Sequence, residues 1–172
     1  MDRRTTIALG TTALLGFGLA LSGSVVAQQK SLKEQLVGSW TFVSGIDTRP
    51  DGTKNDRWGP NPKGSLMFDA TGRFTQIISR SDLPKFAGNK PDQGTADENK
   101  AVLSGMTVSF GTYSVNEAEK TITTRVEGGM YPNLIGLEQN RIISLLTADE
   151  LKYTNPTATS GASAAAQWKR VK

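Results

Sequence analysis

Residues 57–80, "RWGPNPKGSLMFDATGRFTQIISR", decide the fold. Pro60 and Pro62 each fix φ, and each pushes the residue before it, Gly59 and Asn61, toward extended geometry. Gly64 then lets the chain swing without steric cost. The stretch is a pre-set bend that aims Trp58 and delivers Ser65 into a strand. "SLMF" and "RFTQIISR" flank "DATG", which is hairpin chemistry with Gly72 at the position that tolerates positive φ. The core of the sequence is therefore an antiparallel strand pair fed by a rigid turn.

Working outward, "WTFVSGI" (40–46) alternates. Trp40, Phe42, Ser44 and Ile46 point one way and Thr41, Val43 and Gly45 the other, giving a strand with one strongly apolar face. Residues 47–64 form a long loop rich in Asp, Gly, Pro and Asn. Ahead of the first strand, Ser31 and Glu34 stand in capping-box spacing. Leu32, Leu36 and Val37 share a face, so a short helix ends at Gly38. After the hairpin, Pro84 and Pro91 break up residues 81–105. Thr95 and Glu98 form a second capping box, followed by Ala101, Val102 and Leu103. This segment is a loop with one short helix, placed as a lid over a binding site. Strands resume at about 107–115, 120–127, 138–146, 150–155 and 165–171. "NEAEK" (116–120) and "TADE" (147–150) are turns, "GGMYPNLIG" (128–136) is a longer corner, and "PTATSGASAAA" (156–166) is a low-complexity surface loop. About eight sequential strands predict an all-β, up-and-down antiparallel barrel. Its interior is either filled by side chains or holds one small ligand.

The 172-residue chain opens with an address rather than a fold. Arg3 and Arg4 precede an apolar stretch, Ile7 to Leu21. Val25-Val26-Ala27 supplies the small residues of a cleavage site before Gln28. Residues 1–27 are thus expected to be a cleavable signal peptide and 28–172 a single domain, exported to the periplasm or secreted. An uncleaved anchor is the alternative, but the apolar run falls short of the ~20 residues that span a bilayer. The arginine pair hints at twin-arginine export, although Thr6 stands where a large apolar residue is usual, so the export route stays open. The formal net charge is +4 and the basic residues are dispersed, which argues against a nucleic-acid surface.

Five stretches extend the pattern in order: "LVGSW", "GPNPKGSLMF", "FGTYSV", "PNLIGLEQNRII" and "QWKR". Together, across residues 36–170, they resemble the bacterial and fungal lipocalin-like domain family. The resemblance implies an up-and-down barrel with a central cavity, "GPNPKG" leading into its second strand. It also implies a histidine near the strand occupied here by Thr123, Thr124 and Arg125. This chain has no histidine, so no imidazole-dependent activity carries over. The family shares no single reaction, so membership implies a pocket and not a chemistry.

With neither His nor Cys, a nucleophilic triad cannot be built and a zinc site lacks its usual ligands. "DTRPDGTKND" (47–56) lacks the alternation of a calcium loop and is a turn-rich loop. No phosphate loop or dinucleotide fingerprint occurs, and no cofactor or metal is expected. What remains are polar residues within the strands or at their ends: Arg80, Tyr113, Glu127, Gln139 and Arg141. On an inward face they would line the cavity, with Glu127 pairing Arg141 or Arg80. With Tyr113 and Gln139 such a pair would grip a carboxylate or carbonyl on an otherwise apolar ligand. On an outward face they are a solvated wall. Parity does not choose, because Ile142 and Leu146 oppose Ile143 and Leu145. Trp40, Phe42, Phe74, Phe110 and Trp168 are assigned to packing. Trp40 seals the base against the helix, with Arg170 or Arg141 placed to stack on it. Three functions follow: a carrier for a small apolar molecule with one polar end, a cofactor-free isomerase or cyclase with Glu127 as acid or base, or an envelope protein with a filled core.

Overall fold

The computed structural model describes residues 30–172, so the expected signal peptide at 1–27 lies outside the described residues. The helix α1 (Leu32–Leu36) starts at a reciprocal capping box: the Glu34 amide donates to Ser31 Oγ and the Ser31 amide to Glu34 Oε2. Its next two amides, those of Leu32 and Lys33, donate to the Glu117 carboxylate at 2.8 and 3.2 Å. A negative group at a helix N-terminus is stabilising, and this one ties α1 to a turn between distant strands.

The strands are β1 (Gly38–Thr48), β2 (Lys54–Asn55), β3 (Lys63–Phe68), β4 (Arg73–Ser79), β5 (Met106–Asn116), β6 (Thr121–Gly129), β7 (Glu138–Leu146), β8 (Glu150–Asn155) and β9 (Ser163–Arg170). Helix α2 (Ala96–Gly105) follows the expected Thr95–Glu98 capping box, and a single 3-10 turn (Pro132–Leu134) sits in the 128–136 corner. Each strand from β3 onward pairs antiparallel with the next, β3 pairs with β1, and β9 returns to β1 from Trp40↔Arg170 to Thr48↔Ser163. That closes eight strands into an up-and-down barrel, with the two-residue β2 attached to the end of β1. Closure leaves no edge in the main wall for another chain to extend.

Two details differ from the alternation expected of the sequence. The β1–β9 register shifts between Phe42 and Ser44. Trp40 and Phe42 face in, but beyond the bulge Gly45 and Asp47 face in, and Ser44 and Ile46 lie on the exposed side. A bulge inserts one residue and so inverts every side chain after it. Phe110, assigned to packing, is 43% exposed on the outer wall. Its ring lies over Gly128, where a Cβ would come within 2.5 Å of it.

The core is graded along the axis. At the α1 end Leu36, Trp40, Leu66, Phe68, Phe74, Tyr113, Ile122, Leu151 and Trp168 pack together. Trp40 donates its indole N–H to Leu36 O at 2.9 Å, and the Arg170 guanidinium lies 4.0 Å from its ring centroid. Arg170 also donates to the carbonyls of Val37 and Gln35, which straps α1 over this end. Toward the other end the inward positions shrink. The inward face of β9 runs Trp168, Ala166, Ala164, and that of β1 runs Trp40, Phe42, Gly45. The barrel is thus solid at one end and hollow at the other.

Candidate functional site

The hollow is a cavity of about 100 Å³ lined by residues from β1, β4, β5, β7, β8 and β9 and by three loops. Small side chains create it, Ala164 and Ala166 most directly. Its aromatic walls are Phe42, Trp58 and Tyr153. Trp58 comes from the rigid "WGPNP" bend. The bend is not extended as expected: Gly59 and Asn61 take positive φ of 62° and 54°, a left-handed region that Gly and Asn tolerate. Ser81 Oγ donates to Pro60 O at 2.8 Å, pinning the bend to the segment after β4. Gly45 leaves the space for the indole: a Cβ there would sit 2.9 Å from Trp58 Nε1. The Phe42 ring meets Trp58 edge-on at 5.8 Å, and the Arg57 guanidinium covers the indole at 4.3 Å.

The lining carries charge. Arg141 is 5% exposed. Its guanidinium donates to Thr124 Oγ1, to Gln139 O at 3.5 Å and to Gln139 Oε1 at 3.3 Å, and stands 5.6 Å from the Tyr153 ring centroid. None of these partners is charged, and among the described residues Arg141 has no carboxylate within ion-pairing distance. Asp47, 7% exposed, also lines the cavity. Burial pushes its carboxyl above the usual carboxylate range, with Arg57 pulling the other way. Among the described residues Trp168 Nε1 is the sole fully enclosed side-chain polar atom without a partner. The Asp47 oxygens, which make no hydrogen bond among the described residues, therefore border open space. Tyr153 donates to Gln76 Oε1 at 3.3 Å, and burial raises its phenol against the opposing effect of Arg141.

A second hollow of about 500 Å³ lies outside the first. Arg57, Thr107, Leu134 and Thr159 line both, so the two are consecutive chambers. The outer one is walled by α2 through Leu103 and Lys100 and by the 128–136 corner through Met130 and Tyr131. Leu103 and Tyr131 are 59% and 49% exposed, an apolar rim at the mouth. The segment expected as a lid forms one wall of this vestibule.

Of the five residues singled out in the sequence, the structure brings Gln139 and Arg141 together in the inner chamber. Tyr113 faces inward but at the solid end, where its hydroxyl donates to Asp69 O at 2.8 Å and its ring meets Phe68. Arg80 lies outside the cavity, in a two-bond pair with Asp82. Glu127 is on the outer wall, 2.9 Å from Arg73, so it partners neither Arg141 nor Arg80 and cannot be the acid or base of a reaction inside the barrel. The alternation of Ile122, Thr124 and Val126 inward fixes it there. Asp47 was expected in the 47–64 loop, but β1 runs on to Thr48 and, beyond its bulge, turns Asp47 inward. Gly45, an inward position beside the bulge, was the available signal.

An eight-stranded up-and-down barrel, closed by a helix at one end and opening through a charged chamber at the other, defines the class. Residues 37–171 match the lipocalin-like domain family, and the chain belongs to it. Among curated proteins none matches the chain. Similar solved structures include a redesigned β-barrel at 14% identity and a de novo designed fluorescence-activating β-barrel at 9%. Each covers 83% of this chain and 100% of its own, with a TM-score of 0.43. A redesigned barrel bound to DFHBI, at 14% identity and TM-score 0.41, covers 82% of this chain and 100% of its own.

Proposed function

We propose that the protein is exported and binds one small, mostly apolar molecule by its anionic end, the head in the inner chamber and the body in the vestibule. The observation that carries this is Arg141, a buried cation whose partners are all neutral. A buried charge without a counter-charge costs several kcal/mol, and a guanidinium does not shed its proton. An oxyanion entering the chamber supplies the missing charge through charge-assisted hydrogen bonds. Two guanidiniums, Arg57 and Arg141, against one carboxyl, Asp47, set the same sign for the ligand. The apolar rim at Leu103 and Tyr131 suits the remainder of the molecule.

The test uses 1-anilinonaphthalene-8-sulfonate, an aromatic anion whose fluorescence reports binding. Arg141→Gln is expected to weaken it about tenfold or more, the loss of one charge-assisted contact. Unchanged affinity in a variant that still melts cooperatively overturns the reading. Native mass spectrometry of the protein from its host supplies the ligand mass. The N-terminal sequence of that mature protein, expected to begin at Gln28, tests export.

A further inference from the structure

The inner chamber holds two opposite charges that do not meet. Asp47 on β1 and Asn155 on β8 are both register partners of Ala164 on β9, so the three form one row across the wall. Arg141 comes from β7, the strand beyond β8. Neighbouring strands are about 4.8 Å apart, so three strand steps separate the Asp47 and Arg141 backbones. The bare methyl of Ala164 leaves the gap between them unfilled. Among the described residues Asp47 has no hydrogen-bond partner. Asn155 spends its Oδ1 on the Thr157 amide at 3.1 Å, which leaves its amide nitrogen to the chamber.

We infer that this chamber takes a single planar ring carrying an oxyanion at the Arg141 end and a hydrogen-bond donor at the Asp47 end. In chemical class the head group is a hydroxy- or amino-substituted aromatic carboxylate. The inference rests on the cavity-binding reading above and specifies its ligand. Size limits the head to at most one ring, part of it reaching into the vestibule: a cavity of roughly 150 Å³ holds benzene, and this one, about 100 Å³, is smaller but opens into the second hollow. Phe42, Trp58 and Tyr153 give the ring aromatic neighbours. The carboxyl of Asp47 accepts the hydroxyl or amine hydrogen, and the Arg141 guanidinium meets the carboxylate.

Isothermal titration calorimetry with benzoate, 4-hydroxybenzoate and phenol tests it on the wild type, Asp47→Ala and Arg141→Gln, each first shown to melt cooperatively. The wild type is expected to bind 4-hydroxybenzoate about tenfold more tightly than benzoate, the worth of one hydrogen bond to a charged group. In Asp47→Ala that ratio falls to about one. Arg141→Gln weakens both benzoates alike and leaves phenol unchanged. A wild-type ratio near one, a ratio that survives Asp47→Ala, or no binding of any of the three at millimolar concentration overturns the inference. The first two outcomes, with Arg141 dependence intact, leave the cavity-binding reading standing. Loss of Arg141 dependence removes both.

Discussion

The two ends of the barrel use the same strands to opposite purposes. At the α1 end β1 and β9 contribute Trp40 and Trp168, fully buried, and the space is solid. A few residues along, the same strands contribute Asp47, Ala164 and Ala166, and the space is hollow and charged. One end therefore holds the fold together and the other is free to serve a ligand. The difference also separates what a mutation should do to stability from what it should do to binding.

The largest expected effect is on stability at the solid end. Trp40→Ala removes a buried indole, its hydrogen bond to Leu36 O and the surface on which Arg170 stacks. Urea unfolding is expected to show a loss of about 3–5 kcal/mol. The comparison residue is Trp58, also buried but bordering the existing hollow, its indole making no hydrogen bond among the described residues. Trp58→Ala should cost about 1–3 kcal/mol, less than Trp40→Ala, while weakening ligand more. Equal losses at the two positions would erase the distinction between the ends.

The next effect reverses the balance. Ala164→Leu places a side chain in space the fold leaves unfilled. Unfolding free energy should change by no more than about 1 kcal/mol, because filling a void offsets the strain that overpacking brings to a dense core. Ligand affinity should fall about tenfold or more, since the row between Asp47 and Asn155 is blocked. A loss of several kcal/mol with binding retained would mean that the hollow is not where the ligand goes.

How far the sequence reached follows the same division. Local chemistry was legible. The Ser31–Glu34 and Thr95–Glu98 capping boxes start α1 and α2 where expected, and "DATG" turns β3 into β4, with Gly72 at φ 96°. The Trp40–Arg170 stack was one of two options named, and the structure selects it. Inward and outward faces were less legible, because bulges reset parity. The β7–β8 register shifts between Ile143 and Leu145, which is why Ile142, Ile143, Leu145 and Leu146 could not be sorted by alternation. Asp47 was set in the 47–64 loop, whereas β1 continues through it to Thr48 and the bulge turns it inward. Bulges answer to how strands must bend to close a barrel, a property of the whole wall. Glu127 was legible in principle, because Ile122, Thr124 and Val126 alternate onto the inward face and leave it on the outer one.

Asp47 gives a smaller effect with a definite pH dependence. Burial raises its folded carboxyl above the unfolded value, so the folded state holds the proton more tightly. The group's cost to stability is absent below the ordinary aspartate range, near pH ~3.9, and grows as pH rises through and beyond it. Asp47→Asn should therefore raise the melting temperature at pH 7, and the difference should shrink toward zero as pH falls below about 4. A melting temperature equal to or below that of wild type at pH 7 would show that the carboxyl has a stabilising partner.

The smallest effect belongs to the outer wall, and it isolates the chamber from the rest of the charge pattern. Glu127 pairs with Arg73 across exposed strands, both side chains well solvated. Such a pair gains little in water and loses side-chain entropy on ordering, so Glu127→Gln should change unfolding free energy by about 0.5 kcal/mol or less, and less still in high salt. Because the carboxylate points away from the hollow, the affinity for 1-anilinonaphthalene-8-sulfonate should not move. Arg141→Gln, also a single charge removed from a barrel strand, should abolish most of it. If Glu127→Gln instead weakened the probe as Arg141→Gln does, binding would respond to the net charge of the barrel and not to one cation facing an enclosed space, and the contrast between wall and chamber would fail.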